Sequence, residues 1–133
     1  MRSSENVFHL AIPCKELEET VDFYVNKLDC QLARKYADRA TFNFFGDQLV
    51  CHLAPEKIDL NPEIYPRHFG ITFKYKSDFD YLFSLVEQRQ IQFFQKLMVR
   101  FAGKPEEHMT FFLKDPSNNL LEFKYYLNSE MMY

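Results

Sequence analysis

Apolar and polar positions alternate through "NVFHLAIP", residues 6 to 13, which predicts a strand with His9, Val7 and Ala11 on one face and Phe8, Leu10 and Ile12 on the other. The next stretch, "CKELEETVDFYVNKLDC", changes period. Leu17, Val21, Phe23, Tyr24 and Leu28 recur at helical spacing between charged residues, the pattern of an amphipathic helix. The β-rich runs "QLARKYA", "ATFNFF" and "QLVCHLAP" follow, separated by "DR" and "GD", and predict three strands in hairpins. The first half therefore reads βαβββ.

The segment "PEKIDLNPEIYP", residues 55 to 66, carries three prolines and no period, and reads as a linker. After it the pattern restarts. "HFGITFKY" predicts a strand, and "SDFDYLFSLVEQRQ" a helix capped by Ser77 with Phe79, Leu82, Phe83 and Val86 as its stripe. "IQFFQKLMVRF", "MTFFLKD" and "NLLEFKYY" are strand-like, with "AGKPEEH" a loop and "DPSNN" a turn in which Asp115 is a turn residue. The second half is βαβββ again. This predicts one α+β domain of two tandem modules: module one over about 5–54, the linker over about 55–66 and module two over about 67–127. Aligning His9 with His68 and His52 with Glu122 leaves the second module longer, with "MVRFAGKPEEH" the expected insertion.

Composition changes this picture in three ways. A length of 133 residues suits one domain with its own core, and 15 Phe and 8 Tyr predict either a ring-rich core or an aromatic-lined cavity. The 16 basic and 19 acidic residues are interspersed, which argues against nucleic acid or an anionic membrane as partner. No stretch approaches the roughly 20 apolar residues of a membrane helix, and "MRSSENVFHL" lacks a secretory apolar run, so a cytoplasmic protein is expected. Cys14, Cys30 and Cys51 form no paired spacing and read as buried thiols.

Candidate chemistry comes from polar residues that alternation puts on the faces away from the helices. His9, His52, His68 and Glu122 all fall there, and the small residues Ala11 and Gly70 follow the first-strand histidines at the same offset. Imidazoles bind zinc, iron, nickel or copper, and two histidines with one carboxylate form the ligand set of non-heme Fe(II) oxygenases. Glu122, set in "LLEF" with no lysine expected on its face, needs a partner if buried.

The stretches "FHLAIPCKELEETVDFYVNKLDC", "HFGITF" and "FFLKDPSNNLLEFK" together resemble the vicinal-oxygen-chelate superfamily of glyoxalase I, bleomycin- and fosfomycin-resistance proteins and extradiol dioxygenases. The resemblance implies two βαβββ modules forming a cupped, incomplete mixed β-barrel, helices outside, around a divalent metal. It matches the family's ligand positions to His9, His68 and Glu122. A fourth position falls on His52, where glyoxalase I has a glutamate, so His52 is expected as a fourth ligand or as an acid/base beside the metal.

Tyr125 is a second candidate proton donor, and Arg100, Phe101 and His108 are candidates for clamping and stacking a substrate that is anionic or aromatic. Lacking a second carboxylate, the chain is expected to be an Fe(II) extradiol-type dioxygenase acting on a small molecule with vicinal oxygens, as a homodimer. The alternatives are a glyoxalase-type lyase or isomerase using Zn, Ni or Mn, and a metal-free binding protein of the bleomycin-resistance kind.

Overall fold

The computed structural model describes residues 3–133, which form two compact units. The first runs to Asn61 and includes the turn Pro116–Asn119; the second comprises Pro62–Asp115 and Leu120–Tyr133. Each unit holds one four-stranded mixed sheet, so the α+β, twice-βαβββ pattern is realised in both.

In the first unit, β1 (His9–Cys14) is followed by the short helix α1 (Leu17–Val21), then β2 (Gln31–Lys35), β3 (Arg39–Phe44) and β4 (Asp47–Leu53). The sheet order is β1-β4-β3-β2, with β1 and β4 parallel and the other pairs antiparallel. The Glu16 carboxylate caps α1, accepting from the backbone N–H groups of Glu19 at 2.7 Å and Glu18 at 2.8 Å, and these two donors hold its pKa below the usual value. Past Val21 the helix widens into a π-type turn over Asp22–Lys27, closed by Leu28 N–H donating to the Phe23 carbonyl. That widening lets the consecutive rings of Phe23 and Tyr24 both bury, with Tyr24 5.1 Å from Phe42 of the sheet.

The turn Pro116–Asn119 is tied into the first unit by side chains that the turn composition alone does not reveal. Ser117 Oγ accepts from Lys15 N, Asn119 Nδ2 donates to the Pro13 carbonyl, and Asn118 Nδ2 donates to the Asp59 carbonyl. The linker is less featureless than expected, opening with a 3₁₀ turn at Pro55–Lys57.

The second unit repeats the topology. β5 (Phe69–Phe73), helix α2 (Lys76–Gln88), β6 (Phe93–Arg100), β7 (His108–Lys114) and β8 (Leu120–Tyr126) give the order β5-β8-β7-β6, with β5 and β8 parallel. Helix α2 begins before the expected Ser77 cap: Tyr75 occupies the cap position, its carbonyl accepting from Asp78 and Phe79 N–H, which leaves Ser77 inside the first turn. Phe79, Leu82, Leu85 and Val86 form the buried stripe of α2. Against it lies a ring cluster centred on Phe111, whose centroid is 5.5 Å from Phe79, 5.4 Å from Phe123 and 5.6 Å from Phe83. Many of the rings thus build the core.

All three cysteines are buried and outside any disulfide, and burial pushes the Cys30 thiol up to about 12, with Asp29 adding to the effect. A thiol in that state is a packing group. Among the described residues no helix is long and apolar enough to cross a membrane.

Candidate metal centre and its strand face

The face of the second sheet that α2 leaves uncovered is fixed by two registers. Gly70 pairs with Glu122 and Thr72 with Lys124 across β5 and β8; Phe112 pairs with Glu122 and Thr110 with Lys124 across β7 and β8. Glu122 therefore has close neighbours on both sides and is only 8% exposed.

Each Glu122 oxygen has a distinct partner. Oε1 accepts from the Thr110 hydroxyl at 2.8 Å. Oε2 faces His68 Nε2 at 3.1 Å and Lys124 Nζ at 3.5 Å. The lysine corrects the expectation from the sequence: standing two residues on from Glu122, Lys124 shares its face by simple alternation.

His68 is oriented from behind. Its Nδ1 lies 2.6 Å from the Ile64 carbonyl oxygen, an atom that only accepts, so Nδ1 carries a hydrogen and Nε2 is the ring nitrogen turned to Glu122 Oε2. An imidazole nitrogen and a carboxylate oxygen at this range hold a proton or a cation between or beside them. An imidazole nitrogen oriented by a carbonyl, next to a carboxylate oriented by a hydroxyl, is the arrangement that fits a divalent metal. The spacing fits too, since two adjacent ligands at bonds of about 2.1 Å stand roughly 3 Å apart. Among the described residues no group of three or more His, Cys, Asp or Glu is gathered to hold an ion, so the second unit offers this pair.

In the first unit His9 is arranged in the same manner. Its Nδ1 meets Gln48 Oε1 at 2.5 Å across the β1/β4 pair, and with the amide oxygen as acceptor Nε2 is left as the ring's lone pair. His52 does not occupy the place expected of it. Glu122 is the register partner of Gly70, the second residue after His68; the partner of Ala11, the second residue after His9, is Val50. Val50 is therefore the counterpart of Glu122. His52 lies exposed two pairs further along, opposite Pro13 and Arg39.

Tyr125 pairs with Phe73 and Met109 on the face that α2 covers, whereas Tyr126 shares the face of Glu122. Arg100, Phe101 and His108 are brought together at the far end of that face. Arg100 pairs with His108, and His108 with Tyr126. The His108 ring lies 4.6 Å from Tyr126 and 5.8 Å from Phe101. Thr110 and Tyr65, the latter accepting from Arg100 Nη1, were hidden from sequence reasoning because their contacts are set by strand register and by the linker's path.

The family model described as the Glyoxalase/Bleomycin resistance protein/Dioxygenase superfamily matches residues 6–123. The chain belongs to this superfamily. Within it, a solved glyoxalase/bleomycin resistance protein/dioxygenase from Alicyclobacillus acidocaldarius is 60% identical, with 100% of each chain covered and a TM-score of 0.96. The fold is shared with two more distant structures, each 17% identical. Lactoylglutathione lyase from Agrobacterium tumefaciens matches over 91% of this chain and 93% of its own with a TM-score of 0.68. The fosfomycin resistance protein FosX from Listeria monocytogenes matches over 99% and 100% with a TM-score of 0.70. None of the curated proteins compared with the chain matches it.

Proposed function

We propose that this superfamily member is a divalent-metal-dependent enzyme acting on a small molecule with adjacent oxygens, specifically a non-heme Fe(II) dioxygenase of the extradiol type. The observation that carries the reading is the facing of His68 Nε2 and Glu122 Oε2 at 3.1 Å, each oriented by its own hydrogen bond. These two residues would hold the metal. His9 of the first unit, matched to the family's first-strand ligand, is likewise oriented through Nδ1.

When bound, Fe(II) would supply an electron-donating Lewis acid at which two substrate oxygens and dioxygen can meet. The chain's own residues do the rest. The Ile64 carbonyl orients the His68 ring, Thr110 holds the Glu122 rotamer, and Lys124, beside Oε2, is a cation placed to stabilise negative charge on substrate oxygens. Val50 at the counterpart of Glu122 favours this chemistry over a glyoxalase-type isomerisation, because a second carboxylate suited to carry a proton between adjacent carbons is missing from that position.

The 3.5 Å approach of Lys124 to Glu122 favours one other reading, a metal-free binding protein in which the ammonium neutralises the carboxylate. Anaerobic reconstitution separates the two. The enzyme reading expects one Fe(II) retained per chain through gel filtration, and oxygen uptake with catecholic substrates; a protein that retains no divalent ion, with ligand binding intact, contradicts it.

A further inference from the structure

Further along the same strand face lies a group of residues that the metal reading leaves unused, linked to His68 by the Tyr65 ring, whose centroid is 5.9 Å from the imidazole. Arg100, at the end of β6, is half-buried, and among the described residues no carboxylate lies within ion-pair distance of it. Its guanidinium is nevertheless held in place: Nη1 donates to the Tyr65 hydroxyl at 2.5 Å, and the guanidinium carbon stands 5.2 Å from the centre of the Phe101 ring. A guanidinium fixed by a hydroxyl and a ring, with no acid to neutralise it, keeps most of its five donors for an incoming anion.

The neighbouring groups are aromatic. His108, 5% exposed and paired with Arg100 in the ladder, has Nδ1 2.9 Å from the Glu106 carbonyl oxygen, which assigns the hydrogen to Nδ1 and leaves Nε2 as acceptor. Its ring lies 4.6 Å from that of Tyr126, tilted by 42°. Phe101 itself has φ of 54°, a left-handed backbone that a phenylalanine adopts at some cost, and the residue is 44% exposed although its ring lies beside both Arg100 and His108. A flat cation flanked by exposed ring surface matches a flat anion attached to a ring.

We infer that Arg100, with Tyr65, Phe101, His108 and Tyr126, forms a subsite for an aryl carboxylate. The carboxylate pairs with the Arg100 fork, and its ring packs against Phe101 and Tyr126. Tyr126 lies four residues along β8 from Glu122, about 13 Å between Cα atoms. Lys124 stands between them, its Nζ 3.5 Å from Glu122 Oε2 and 5.7 Å from the Tyr126 ring centre. The inference deepens the proposed function by assigning its substrate a carboxylate at the end away from the metal-binding oxygens. It rests on that reading for this link alone, since the subsite itself needs no metal.

The test therefore uses the full chain in EDTA. Amide NMR is titrated with benzoate, cyclohexanecarboxylate and phenol, probes that separate charge from ring. Benzoate is expected to shift the amides of Arg100, His108 and Tyr126 and to bind about tenfold more tightly than either of the others. Arg100→Gln should weaken benzoate by about tenfold, to the level of phenol, while Arg100→Lys, which keeps the charge and loses the fork, should fall between. Phe101→Leu should bring benzoate to the level of cyclohexanecarboxylate. Benzoate that binds no more tightly than phenol, shifts a different set of amides, or is indifferent to both Arg100 variants overturns the subsite. Fe(II) affinity measured separately on Arg100→Gln should match the wild type, so loss of the subsite and loss of the metal site are read independently.

Discussion

Glu122→Gln should lower Fe(II) affinity by about a hundredfold or more while leaving the chain folded. The amide keeps the shape and still accepts from Thr110, but it removes the negative charge and can place an NH2 donor where Oε2 now faces His68 Nε2 at 3.1 Å. That donor would satisfy the imidazole lone pair directly. The apo variant should thus gain a neutral hydrogen bond at the position where the wild type gains an ion, and metal titration by calorimetry would show the loss. Lys124 then has no carboxylate charge at this point, which is the one cost to stability. Wild-type affinity in Glu122→Gln would mean that the ion binds without this carboxylate.

Gly70→Ala should destabilise the protein by about 3 kcal/mol or more, an unusually large effect for one methyl group. The cause is backbone contact. A Cβ on Gly70 would lie 1.7 Å from the Glu122 carbonyl oxygen and 2.6 Å from its carbonyl carbon, so β5 would have to separate from β8. β5 is the outer strand of its sheet and has no second ladder to retain it. Because His68 immediately precedes β5, the same shift should also weaken metal binding. Urea denaturation checks the first effect, and a midpoint close to wild type would contradict the clash. The small residue at 70 therefore serves the close approach of two backbones as much as the open space that its side-chain size suggested.

The position of this glycine illustrates what the sequence could and could not reveal. The change from period two to period 3.6 and back, twice, was enough to give two βαβββ modules, because each helix and strand buries its own apolar stripe. The faces of His9, His52, His68 and Glu122 were legible for the same reason. The row was not. A shift of two residues keeps every side chain on its face while moving it to a different partner, so counting along the chain matched His52 to Glu122, whereas the β1/β4 ladder makes Val50 the counterpart.

Alternation did contain the place of Lys124 and the choice of Tyr126 over Tyr125, since both Lys124 and Tyr126 stand an even number of residues from Glu122. Thr110 and Tyr65 carried no such signal. Their roles depend on which distant residue each meets, and that is decided by packing of the whole unit. The π-type turn in the first helix was hidden similarly, because Phe23 and Tyr24 also fit an ordinary amphipathic stripe until both rings must reach the sheet.

The most direct test of the metal assignment is anomalous diffraction from crystals of the protein reconstituted with Fe(II) under anaerobic conditions. The account predicts one iron peak per chain within about 2.0 to 2.3 Å of both His68 Nε2 and Glu122 Oε2. A peak bound elsewhere, or crystals in which Lys124 still pairs with Glu122 and no peak adjoins His68 after loading, would contradict it.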